Sequence, residues 1–242
     1  MKLGYFAVAL LLSTAVQAQA QTQDHQRRPA TLAAMPAAPA PAPAPVPAVS
    51  PDMQALDGLQ DEWARIKYRT PDQSAQERAI EQLSQRAAET AKAYPSSPEI
   101  KVWQAIIIAT RASINGGLGA LSDAKQAKAL LEQVERSAPD VLNGSVYTSL
   151  ASLYYKVPGW PIGFGNNEKA EAYLKKALSV NPEGIDPNFF YGDYEYERGH
   201  YDLARQYLKK AMAAPARPGR ELADTGRRKE AQDLLEKMAG KY

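Results

Sequence analysis

Gly144–Ala214 reads GSVYTSLASLYYKVPGWPIGFGNNEKAEAYLKKALSVNPEGIDPNFFYGDYEYERGHYDLARQYLKKAMAA, and its spacing decides the fold. Tyr147, Leu150, Ala151 and Tyr154 precede Ala170, Leu174 and Ala177, with Pro182 as a stop. The second half repeats the plan: Tyr191 and Gly192, then Gly199, Tyr201, Ala204, Leu208 and Ala211, closed by Pro215. Ala170 and Ala204 lie 34 residues apart, and each is followed by Leu at +4 and Ala at +7. Steps of three and four keep side chains on one face of a helix, so these are two helix-turn-helix units laid end to end.

A small residue where two helices cross, a large one between hairpins and a proline after the second helix resemble the tetratricopeptide (TPR) repeat. Outward from this pair the pattern continues. Ala127, Leu131 and Val134 precede Pro139, and Trp103, Ile106, Ile107 and Thr110 fill the leading helix before them. Trp63 and Ile66, then Ala79, Ile80, Leu83, Ala87 and Ala91, read as a degenerate first repeat. Gly116, Gly117 and Gly119 stop the leading helix, and the partner helix is expected over Asp123–Ala138. No strand precedes this glycine cluster and the dinucleotide spacing fails. A last helix is expected over Asp224–Ala239, covering the open end of the stack, with Arg227, Arg228 and Lys229 on its solvated face. The expected fold is all-α: a TPR-like antiparallel helix-hairpin solenoid of about four hairpins over 52–242, with a C-terminal capping helix.

The N-terminal fifth is different. Met1–Ala20 has a lysine, an apolar run from Tyr5 to Val16 and a small-x-small Ala18-Gln19-Ala20 site. The apolar run, about 12 residues, is too short to span a bilayer and suits a secretory signal peptide. Residues 21–51 then read as a disordered linker, polar at first and Ala/Pro-rich from Pro36 to Pro47, expected in extended polyproline II. The chain has no cysteine, which excludes disulfides, thiolate metal sites and a lipid-modified cysteine. Export without disulfides points to a periplasmic or secreted protein, with a Gram-negative bacterium inferred. The formal net charge is +2, with both signs interspersed, so a nucleic-acid partner is not expected. No membrane span is expected after signal cleavage.

Chemistry is scarce. The two histidines are His25, in the linker, and His200, in a hairpin turn. Neither has partner ligands that would make a metal site, and no cofactor is expected. Asp186, Asp193, Glu195, Glu197 and Asp202 are dense, but acid–base work also needs a pocket that separates two pKa values. No phosphate loop or nucleophile elbow appears, so the chain does not read as an enzyme.

Two candidate binding elements remain. Leading helices of a TPR stack line its groove, which places Lys101, Gln104, Ile108 and Arg111 there, followed by Thr148, Ser152 and Tyr155, then Phe189, Asp193 and Tyr196. Two cations at one end and aromatics at the other suit a carboxylate-terminated ligand. The second is Val157–Gly165, too rich in proline and glycine for helix yet carrying Trp160, Ile162 and Phe164. It either folds back over the hairpin end or contacts a partner.

Val157–Gly165, Pro182–Asn188 and Tyr191–Asp193 together resemble small exported proteobacterial TPR proteins, and more distantly the T-component of TRAP-type transporters. The first likeness implies a non-enzymatic periplasmic scaffold that binds a protein or peptide. The second implies a small-molecule-binding accessory of a transport system, with a cleft beside Trp160 and Phe164.

Overall fold

The computed structural model describes residues 49–240. The signal segment and nearly all of the linker lie outside the described residues. Among those described there are nine helices: α1 (Pro51–Arg69), α2 (Gln73–Ala93), α3 (Pro98–Asn115), α4 (Gly117–Ser137), α5 (Val141–Lys156), α6 (Asn167–Val180), α7 (Ile185–Glu197), α8 (Tyr201–Ala213) and α9 (Glu221–Lys237). Consecutive helices pair as four antiparallel hairpins, and α9 follows alone.

The repeat alanines sit where their spacing places them. Ala127, Ala170 and Ala204 are fully buried, and so are Leu131, Leu174 and Leu208 four residues on. Each alanine lets the two helices of a hairpin approach, while the leucine fills the gap to the next. In the first hairpin the register differs, because Ala79 is half-buried and Ile80, Leu83, Ser84 and Ala87 form the buried stripe. In the last hairpin Gly192 carries the close approach. A Cβ there would lie 2.8 Å from Leu208 Cγ and 3.1 Å from its backbone nitrogen. Gly192→Leu is therefore expected to destabilise the protein by about 1–3 kcal/mol by overpacking, read from urea unfolding.

Several boundaries correct the sequence reading. The linker does not run through Pro51, which opens α1 at a position where its missing N–H costs nothing. The partner helix of the second hairpin begins at Gly117 rather than Asp123. Gly116 and Gly117 both have positive φ (59° and 65°), which glycine adopts at no steric cost, so the chain reverses and re-enters helix at once. Helix α6 is capped by Asn166, whose side chain accepts from the Lys169 N–H at 2.8 Å. The final helix starts at Glu221, three residues earlier than its sequence reading.

The leading helices form an inner series in which α1 packs on α3, α3 on α5, α5 on α7 and α7 on α9. Helix α9 then packs back onto α1. The terminal helix does cover the last hairpin, and it also closes the inner series into a ring.

Candidate functional site

The ring closes over a partly buried polar cluster to which α9 contributes most. Arg227 is only 7% exposed. Its Nε donates to Asp186 Oδ1 at 2.9 Å and its Nη1 to Glu230 Oε2 at 2.7 Å. The guanidinium lies over the rings of Phe189 and Phe190, 4.5 and 4.7 Å from their centroids. Glu230 also meets α1, pairing with Lys67 Nζ at 2.9 Å and accepting from Tyr68 Oη at 3.3 Å. Arg217, in the connector before α9, bridges Asp186 of α7 at 2.7 Å and Asp224 of α9 at 2.5 Å. Arg220 stacks 4.7 Å from the Trp103 ring and donates to Gln60 at 2.7 Å.

Arg227 holds both of its carboxylates ionised. Burial works against the Asp186 carboxylate, but Arg227 and Arg217 outweigh it and hold its pKa down to about 2. Glu230 is likewise lowered: burial opposes its charge, and Arg227 and Lys67 prevail. A carboxylate whose folded pKa is depressed stabilises the fold above its ordinary pKa and loses that contribution as pH falls through the folded value. Unfolding free energy is therefore expected to drop by about 2 kcal/mol as pH falls from about 4 to about 2 through Asp186 alone. Urea titrations across that window check it. The drop should shrink in Asp186→Asn, and an unchanged slope there would assign the effect elsewhere.

The loop between α5 and α6 is the other feature. Trp160 and Ile162 are 89% and 70% exposed, whereas Phe164 turns inward, edge-on to Tyr154 with ring centroids 5.8 Å apart. Backbone bonds close the loop on itself: Gly165 N–H donates to Pro158 O at 2.9 Å and Gly163 N–H to Gly159 O at 3.1 Å. Asn166 N–H ties it to Tyr154 O at 2.8 Å. A Cβ on Gly165 would fall 1.9 Å from Val157 O, and one on Gly163 2.4 Å from Pro158 O, so only glycine permits this packing. The Trp160–Pro161 peptide is cis.

A thermophilic TPR protein from Thermus thermophilus, known by crystal structure, matches this architecture. It aligns with a TM-score of 0.51 at 21% identity, over 78% of this chain and 91% of that one. The fold is a TPR-like helical solenoid. No family model and no curated protein matches the sequence.

Within this TPR-like frame the sequence candidates do not converge on one open groove. Ile108 is buried in the core between α3, α4 and α5. Arg111 is committed to neighbouring helices: its Nε and Nη2 grip Asp123 at 2.8 and 2.7 Å, and its Nη1 reaches Ser84 at 3.0 Å. Lys101 and Gln104 stay half-buried on α3, as does Ser152 on α5, while Thr148 is buried and donates to Ser145 O. Tyr155 and Asp193 do meet, the phenol donating to Asp193 Oδ2 at 2.7 Å. Burial next to that carboxylate raises the Tyr155 pKa well above its ordinary value. Lys156 bridges Asp193, at 2.9 Å, and Glu197. Phe189 is buried beneath Arg227, and Tyr196 is half-buried beside Tyr201. His200 pairs with the buried Glu195 at 2.6 Å across its turn.

The basic run of α9 is a clear correction. Lys229 is exposed and Arg228 half-buried, but Arg227 is a core residue. Apolar periodicity missed it because the face that α9 buries sets two charged residues among small ones: Ala223, Asp224, Gly226, Arg227 and Ala231. The one local signal was Gly226 in mid-helix, where glycine is costly unless something packs against it.

Proposed function

We propose that this protein is a non-enzymatic, exported scaffold that binds a protein partner through the Trp160 loop. The TPR-like fold supports an interaction role in general. The observation that carries the specific reading is Trp160 and Ile162 standing 89% and 70% exposed on a loop fixed by its own hydrogen bonds. Large apolar side chains held out in solvent on a fixed backbone lose little entropy on binding, the property of an interface anchor. Phe164 and Tyr154 secure the loop from beneath, so the segment is cover on one side and contact on the other. Export rests on the signal-like Met1–Ala20 segment, and the periplasm is the compartment proposed. No helix among the described residues is long and apolar enough to cross a membrane.

A small-molecule accessory would need Trp160 and Phe164 to face one cleft. They point apart, one into solvent and one onto Tyr154.

A photo-crosslinking amino acid at position 160, in cells of the source organism, tests the reading. One discrete adduct is expected from position 160 and none from Glu77 on α2. Trp160→Ala/Ile162→Ala should abolish co-purification of that adduct's partner while changing stability by less than about 0.5 kcal/mol. Retained binding by a folded double variant would remove the loop from the interface.

A further inference from the structure

We propose that the slot framed by α1, α7 and α8 is a receptor for a helix, that α9 is its resident occupant, and that a partner helix presenting the same small–arginine–acid face displaces it. This site is separate from the Trp160 loop and stands whether or not that loop binds anything.

The first ground is how α9 is held. The positions enclosed along it are small or charged (Ala223, Asp224, Gly226, Arg227 and Ala231), with Met238 buried at its end and Leu222, Leu234 and Leu235 half-buried. The α1–α8 hairpins, by contrast, bury residues such as Leu59, Ile80, Ile107, Leu150 and Leu208. Charge joins these apolar contacts in seating α9: Arg227 to Asp186, Glu230 to Lys67 and Tyr68, and Asp224 to Arg217. Buried ion pairs add little net stability compared with apolar packing, but they fix register and discriminate among occupants. That is the property of a recognition site more than of a core.

Shape is the second ground. Gly226 lies against the face of Tyr68, where a Cβ would come within 2.4 Å of the ring. Tyr68 therefore selects a helix with a glycine at the crossing point. Third, α9 is attached by a non-helical connector, Ala214–Arg220, that contains Pro215, Pro218 and Gly219. A tether of this kind lets a helix leave its seat without unwinding its neighbour.

The recognised ligand follows from the contacts: an amphipathic helix in which an acid, a glycine, an arginine and a second acid stand as Asp224, Gly226, Arg227 and Glu230 do. The arginine would enter between Asp186 and the two phenylalanines, and the second acid would meet Lys67.

The test uses the full chain and a labelled peptide of residues 219–240. Gly226→Leu in the protein should unseat its own α9 and leave Tyr68 intact, so the wild-type peptide is expected to bind that variant. Wild-type protein should bind it at least about tenfold more weakly, because the tethered α9 competes at high effective concentration. A peptide with Arg227→Glu should not bind. A folded Gly226→Leu protein that ignores the wild-type peptide would overturn the proposal. If Gly226→Leu does not fold, hydrogen exchange on the wild-type chain decides. Amides of α9 exchanging at least about tenfold faster than those of α7 and α8 would support a separable helix, and exchange only with the whole molecule would refute it.

Discussion

Replacing Arg227 by alanine is expected to lower unfolding free energy by about 3–5 kcal/mol, measured by urea denaturation at pH 7. The size follows from what the guanidinium does at once. Itself buried, it pairs with the half-buried Asp186 and Glu230 and covers two phenylalanine rings. Removing it leaves Asp186 with Arg217 as its remaining partner and Glu230 with Lys67 and Tyr68, and opens space above Phe189. Arg227→Lys should recover less than half of the loss, because one ammonium cannot donate to both carboxylates and stack flat on the rings. A double-mutant cycle with Asp186→Asn should show strong coupling. A loss below about 1 kcal/mol for Arg227→Ala would mean the cluster is solvated and not part of the core.

Trp63→Ala is expected to cost a similar amount, about 3–5 kcal/mol. The indole is buried among α1, α3 and α9 residues, edge-on to Trp103 at 5.4 Å and to Tyr68 at 5.9 Å between ring centroids. Its Nε1–H donates to Thr110 Oγ1 at 2.8 Å. Trp63→Phe should keep most of the packing and lose the hydrogen bond. Thr110→Val, which leaves the indole N–H unpaired, should isolate that bond at about 1–2 kcal/mol. If Trp63→Phe were as damaging as Trp63→Ala, the hydrogen bond rather than the ring would be holding the first hairpin to the second.

The hairpins were legible because their evidence is local. Ala170, Leu174 and Ala177 announce a packed helix face within eight residues, and Ala204, Leu208 and Ala211 repeat it. The loop was half legible. Composition excluded helix over Val157–Gly165, but nothing in the order of Trp160, Ile162 and Phe164 says that the last turns inward. The ring was not legible. Its contacts join Lys67 and Tyr68 to Glu230, and Asp186 to Arg227, across most of the fold, and they are made by charged residues that periodicity assigns to solvent. Arg111 shows the same limit: spacing placed it on a helix face, but its partners Asp123 and Ser84 decided what that face meets.

Closure also changes what kind of object the protein is. An open solenoid is a line of nearest neighbours, to which repeats can be added or removed at modest cost. Here the line has been bent into a circle, and a circle has a fixed circumference. An extra hairpin spliced between α4 and α5 would carry α1 and α9 out of register, so the array cannot be lengthened one unit at a time. The bond from Tyr68 to Glu230 spans 162 residues of sequence, so this last join forms only after the intervening loop is closed. Damage on either side of it is felt all the way round.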